Sequence, residues 1–330
     1  MSQKRWMKVF MSVLAVVVVM AMLAACGDDD EKPTESGSGG KAATTTTAAS
    51  SSGSSSGEAS DTVSISMHDY AYAVSGKLAA GGSIDLKNEG TELHMLGIGK
   101  LKPGATVAQV RDAMAKASPE QEGDPTGGLI EEEVGWPGGF VSPGHEVTLS
   151  AANLQPGTYA LICFLPTEGS GEPHFTKGMI SELDVATGSS TPAPPKPDAT
   201  YKVTVGQPMT GPATLTAGTH TIEVTGDGDI GKQEPQLVSA KTPDQTPQQI
   251  NDEINKYFGA IEGGNTPPPK GTGKAIADYI PFAGFDLTGL KSVTFTYDFK
   301  PGVYYLAAPD TDNQNGPGTV PTELIKITVQ

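Results

Sequence analysis

The sequence predicts an all-β chain of two similar β-sandwiches in tandem, each with one inserted helix, behind a targeting segment and a structureless tether. Three observations lead there. Short runs of alternating apolar and polar residues recur along the chain, as in strands with one buried face. Turn formers bound them: 41 Gly and 26 Pro in 330 residues are too many for a helical bundle. Blocks in the second part also repeat blocks of the first in the same order, which marks an internal duplication.

The first element is residues 1–25. Lys4, Arg5 and Lys8 precede an uncharged apolar run from Val9 to Ala25, the layout of a secretory signal peptide. The run is short for an uncleaved membrane span. It ends in Leu23-Ala24-Ala25-Cys26-Gly27, which resembles the lipobox of bacterial lipoproteins. That resemblance implies diacylation of Cys26, with palmitate-type chains, and a mature protein anchored to the cell membrane on its extracytoplasmic face. Two acyl chains hold stably where one holds only marginally. Residues 26–60 are mostly Asp, Ser, Thr, Gly and Ala, a flexible tether reaching about 30 Å.

Residues 61–187 follow as the first sandwich. Its expected strands include Val63–Met67, Ser83–Leu86, His145–Leu149 and Tyr159–Cys163, with a helix over Thr106–Ala117. Residues 188–199, rich in Pro, read as a semi-rigid spacer that cannot enter a sheet interior. Residues 200–330 form the second sandwich, with strands at Tyr201–Val205, Thr221–Val224 and Val293–Tyr297 and a helix over Thr246–Phe258. Leu78-Ala79-Ala80-Gly81 matches Leu215-Thr216-Ala217-Gly218, and Pro156-Gly157-Thr158-Tyr159 matches Pro301-Gly302-Val303-Tyr304.

Charge and cysteine count narrow the function. The chain carries 38 acids against 22 bases, a net −16, so it repels nucleic acid, which is not an expected partner. Two cysteines, Cys26 and Cys163, exclude a disulfide framework and every multi-cysteine zinc motif. There is no Cys-x-x-Cys, no His-Glu-x-x-His and no phosphate loop.

Residues 61–187 are similar to the cupredoxins along nearly their whole length. The likeness begins at Met67-His68-Asp69-Tyr70-Ala71-Tyr72 and continues through Asn88-Glu89-Gly90-Thr91-Glu92-Leu93-His94. Its C-terminal part is Pro156-Gly157-Thr158-Tyr159 leading to Cys163, then Pro173-His174 and Gly178-Met179. The resemblance implies a Greek-key β-sandwich in both copies and, in the first, one type 1 copper ion held by His94, Cys163, His174 and Met179. A blue-copper site needs two imidazoles and a thiolate in one plane with a weak axial thioether. One departure stands out: Phe164 to Pro173 intervene between Cys163 and His174, whereas small members of the family keep these two a few residues apart. His68, His145 and His220 are expected at the surface.

In the second copy Glu234, Ala308, Gly318 and Glu323 align with His94, Cys163, His174 and Met179, so no copper site is expected there. Two readings remain open. One is a membrane-anchored copper protein for electron transfer or copper handling, with an unknown redox partner. The other is a copper-free scaffold that binds an extracytoplasmic partner. An enzyme is not expected. Copper oxidases and nitrite reductases built from such sandwiches need further histidine-rich centres, the oxidases with His-x-His pairs. This chain has five histidines and no such pair.

Overall fold

Alternation in the sequence becomes alternation of burial. In β1 (Ala59–His68) Val63, Ile65 and Met67 face inward, and in β9 (Ala199–Val203) Ala199, Tyr201 and Val203 do so while Thr200 and Lys202 face solvent. The computed structural model describes residues 59–116, 124–131, 139–187, 196–226, 234–262, 267–283, 292–308 and 320–330. The signal peptide, Cys26 and nearly all of the tether lie outside them. β1 already begins at Ala59, and β9 at Ala199, each just inside a segment read from sequence as tether or spacer.

The first half continues with β2 (Ala71–Val74), β3 (Lys77–Asn88), β4 (His94–Lys100), helix α1 (Val107–Lys116), β5 (Gly139–Val141), β6 (Glu146–Ser150), β7 (Gly157–Ile162) and β8 (Ile180–Ala186). Strands run β5-β4-β7-β8-β3-β6 along the hydrogen-bonded path, with β1 parallel on β3. Strand β3 serves both layers, pairing with β8 at Leu78–Ala79 and with β6 from Ser83 to Lys87. The corner falls at Gly81-Gly82: Gly81 has φ +84°, and a Cβ on Gly82 would lie 2.4 Å from the Asp61 carbonyl oxygen. Only glycine fits so close a backbone approach. Tyr159 to Ile162 on β7 are all buried because α1 covers their outer side, packing Val110 and Met114 with Ala160 and Ile162.

The second half comprises β9, β10 (Thr214–Leu215), β11 (Gly218–Gly226), β12 (Gln236–Ser239), α2 (Pro247–Glu262), α3 (Thr272–Ala277), β13 (Phe282–Ala283), β14 (Ser292–Phe299), β15 (Gly302–Ala307) and β16 (Leu324–Val329). It repeats the first in register. Leu78 and Gly157 both pair with Val185, as Leu215 and Gly302 both pair with Val329. Tyr159 donates its hydroxyl to the Gln155 carbonyl and Tyr304 to that of Lys300. Both long helices open with the same capping box: Thr106 with Gln109, and Thr246 with Gln249. The chain is all-β with small helices, as expected.

The spacer does not keep the halves apart. β5 pairs with β13 (Val141 with Phe282) and β6 with β14 (Leu149 with Phe295), so both layers run on from one half to the other. A shared core fills the junction, with the Phe282 ring 4.9 Å from Phe295 and 5.4 Å from Tyr297. The pairing satisfies backbone groups that would otherwise line open sheet edges. Two histidines expected at the surface are half-buried instead. His145 is half-buried at the junction, its Nε2 3.1 Å from the Ala277 carbonyl. His220 is half-buried over Phe299 and bonds the Thr216 carbonyl. His68 is at the surface beside Glu89.

Candidate metal centre

Four expected ligands arrive from three places in the first sandwich. His94 opens β4 and pairs with Val141; Cys163 follows β7; His174 opens a 3-10 turn, His174–Lys177; Met179 lies between that turn and β8. Gly178, at φ +114°, ends the turn in the left-handed region and lets Met179 reverse alongside Cys163, where glycine is strongly favoured. The Cys163 N–H donates to the Met179 carbonyl at 3.2 Å, and the Met179 N–H to that of His174 at 3.1 Å.

The long Cys163–His174 segment closes on itself. Pro166 bridges Pro173 in antiparallel fashion, the Thr167 N–H donates to the Glu172 carbonyl, and the His174 N–H donates to that of Leu165. Residues 164–173 thus form a small hairpin continuing from β7, and the Phe175 N–H reaches the Cys163 carbonyl at 3.0 Å. The inserted residues extend outward and leave the separation of the two ligands short.

His94 Nδ1 and His174 Nδ1 lie 3.2 Å apart, and Cys163 Sγ lies 3.4 Å from His174 Nδ1. The three donor atoms all fall within 4.8 Å of one another, and all three residues are fully buried. Donors around one ion at bond lengths of about 2.0–2.3 Å, spread in a plane, stand roughly 3.5–4.0 Å apart. Small outward shifts would bring these to that spacing. The Met95 N–H points at Cys163 Sγ from 3.3 Å.

Each imidazole holds a carboxylate on its far nitrogen. His94 Nε2 is 3.1 Å from Asp69 Oδ1, and His174 Nε2 is 3.1 Å from Glu92 Oε2. Both contacts fix the ring with Nδ1 turned inward, the arrangement that orients histidine ligands to metals. Asp69 is held in turn by Thr91, and Glu92 by the Tyr70 hydroxyl at 2.7 Å and the Glu168 N–H at 2.9 Å. Tyr70 has φ +68°, a strained left-handed position of about 1 kcal/mol or more. Its ring stands edge-on to His174 at 5.1 Å.

Electrostatics keep both imidazoles neutral. Burial, then His174, bring His94 down to about 4, against the pull of Asp69. Burial also lowers His174, with Glu92 opposing. Burial pushes the Cys163 thiol up to about 12, so a proton must leave when a cation binds. Neutral imidazole and a thiol that ionises only against a cation form a donor set suited to a soft metal.

The second half covers this site. The Glu168 carboxylate, on the hairpin, accepts from the N–H groups of Gly271 and Gly273, the latter at 2.7 Å. The Gly169 N–H donates to the Pro268 carbonyl at 2.7 Å. A Cβ on Gly273 would lie 2.7 Å from the Leu93 nitrogen, so the first turn of α3 rests directly on the backbone next to His94.

Of the residues singled out from sequence, His94, Cys163 and His174 converge, and Met179 is buried with its backbone beside them. In the second half Ala308 and Glu323 occupy the places of Cys163 and Met179, since the Ala308 N–H donates to the Glu323 carbonyl. Glu323 instead gives its carboxylate to the Gly206 N–H. Strand register shifts one pairing: Gln236 faces Ala307 as Gly97 faces Ile162, so Glu234 corresponds to Met95, not to His94. Gly318 lies outside the described residues. Asp69, Glu92 and Glu168 were missed; the acid two residues before His94 was the available signal.

No family model matches the chain, and no curated protein matches it. Among solved structures it is similar to the dithionite-reduced auracyanin of the photosynthetic bacterium Roseiflexus castenholzii, at 25% identity over 39% of this chain and 99% of that one, TM-score 0.25. It is similar to auracyanin A, a "blue" copper protein of Chloroflexus aurantiacus, at 17% identity over 40% and 96%, TM-score 0.25. It is also similar to a blue copper oxidase from Nitrosomonas europaea, at 13% identity over 81% and 85%, TM-score 0.21.

Proposed function

We propose that this chain is a cupredoxin-like carrier that holds a single copper ion in its first half and passes one electron at a time. We place it on the extracytoplasmic face of the cell membrane, tethered by acyl chains on Cys26. The observation that carries the copper reading is the convergence of His94 Nδ1, His174 Nδ1 and Cys163 Sγ in a fully buried cluster, with a carboxylate behind each imidazole.

Bound there, copper supplies a reversible one-electron couple between Cu(II) and Cu(I). The chain's own residues do the rest. His94, His174 and Cys163 would hold the ion, and Met179 would supply a thioether beside them. Asp69 and Glu92 hold the rings in place, which limits rearrangement between oxidation states. The Met95 N–H draws charge from Sγ, which favours the reduced state and raises the potential. Full burial of the donors supports electron transfer over copper delivery, because a delivered ion needs an exit.

We read the chain as a carrier rather than an enzyme. Its other histidines are engaged singly: His68 with Glu89, His145 with Ala277 and Tyr297, His220 with Thr216. A copper-free scaffold is favoured only by the second half, where Ala308 and Glu323 replace ligands.

Equilibrium dialysis of the reduced chain against copper tests the reading. It expects one equivalent retained, and loss of that retention in both Cys163→Ser and His174→Ala. Retention unchanged in Cys163→Ser contradicts it. The anchor is tested by mass spectrometry for acyl chains on Cys26 and by release of Cys26→Ser from membranes.

A further inference from the structure

Among the described residues the second half shows no metal-binding cluster of its own, yet the start of its α3 touches the groups behind one ligand of the first. A continuous line of hydrogen bonds connects them. Gly271 and Gly273 donate their N–H groups to the Glu168 carboxylate; the Glu168 N–H donates to Glu92 Oε2 at 2.9 Å; that same oxygen lies 3.1 Å from His174 Nε2. Glu92 is 13% exposed and His174 is buried, so water competes little with either contact. Glu168 sits in the hairpin inserted between Cys163 and His174, and two further contacts hold that hairpin to the second half. These are the Gly169 N–H on Pro268 and the approach of Gly171 to Pro267.

We infer that Glu168 is a positioning residue through which the second half sets the orientation of His174. On this view the inserted hairpin, which lengthens the Cys163–His174 segment, is the device that couples the halves, and the second copy keeps its fold because the first copy's site depends on it. The inference rests on the copper reading of the His94, Cys163 and His174 cluster. Among the described residues His94 has no comparable link: its carboxylate, Asp69, is held by Thr91 of the same half. The coupling is therefore specific to one of the two imidazoles.

The geometry of Gly273 gives an independent handle. A Cβ there would lie 2.7 Å from the Leu93 nitrogen and 2.9 Å from the Glu92 carbonyl carbon. Gly273→Ala must push the turn away from Glu92 without altering any charge. Glu168→Ala removes the carboxylate and leaves the backbone N–H to Glu92.

The experiment compares the copper(II)-loaded full chain with Glu168→Ala, Gly273→Ala and Lys300→Ala, the last removing an exposed ion pair with Asp298 at the β14–β15 turn. Visible absorption, electron paramagnetic resonance and copper affinity are read for each. The expected result is a changed copper spectrum and an affinity about 10- to 100-fold weaker in Glu168→Ala and Gly273→Ala, with Lys300→Ala like the parent. Parent spectra in both folded variants overturn the inference even if they are less stable. A variant that fails to fold is replaced by Glu168→Gln, for which a parent spectrum with a lost Gly271 contact has the same overturning force. Absence of any thiolate band in the parent chain instead contradicts the copper reading itself, so the two failures are distinguishable.

Discussion

Pro166 and Pro173 face each other across an antiparallel bridge, and this bridge reconciles a long sequence separation with a short distance between Cys163 and His174. Proline lacks an N–H, so neighbours carry the closure. Thr167 donates both its N–H and its hydroxyl to the Glu172 carbonyl, the hydroxyl at 2.7 Å. Thr167→Val keeps the shape and deletes one bond. It should cost about 1 kcal/mol, read as a lower urea midpoint at unchanged slope; an unchanged midpoint would show the hairpin is held elsewhere.

Acid should destabilise the metal-free protein in a defined window. His94 titrates at about 4 in the folded chain against roughly 6.5 unfolded. Above that higher value both states are neutral and nothing changes. As pH falls through it the unfolded chain takes a proton that the folded chain refuses, and stability is lost down to about 4, by up to about 3 kcal/mol. His174, lowered in the same direction, adds to the loss. Urea melts at pH 7.5 and pH 4.5 should show it, with a shallower dependence in His94→Gln.

Gly90 is confined by the site. A Cβ there would lie 2.5 Å from both Asp69 Oδ1 and His94 Nε2, inside the hydrogen bond that orients His94. Gly90→Ala should weaken copper affinity about 10- to 100-fold and destabilise the chain by about 1–3 kcal/mol. A copper titration of the folded variant with parent affinity would remove Asp69 from the ligand-orienting role.

The shared core predicts joint unfolding. Phe282 is fully buried at the junction between β5, β13 and β14. Phe282→Ala should cost about 3–5 kcal/mol while leaving one transition, seen at the same denaturant concentration by far-ultraviolet circular dichroism and by tyrosine absorbance. Two separated transitions would mean the halves fold apart.

Much of this was readable in the residues. Alternation located β1, β6 and β9, and the pairing of Leu78 with Leu215 and of Tyr159 with Tyr304 followed from repeated letters, because each side chain's environment is set locally. His94, Cys163 and His174 were found by type and order. Asp69 was not, since an acid in an acidic chain carries no mark of the ring it will face, and Glu92 offered only its place two residues before His94. β5 and β13 are three and two residues long, too short for any period, so the joining of the halves was hidden. The closure of residues 164–173 depends on the Pro166–Pro173 register, which spacing alone does not state.

The visible spectrum of the reduced chain on addition of one equivalent of copper(II) bears most directly on the site. The expected outcome is an intense thiolate-to-copper absorption that appears with Cys163 intact and is absent in Cys163→Ser. A colourless parent chain, or a band that survives the loss of Cys163, would contradict copper ligation by this cluster.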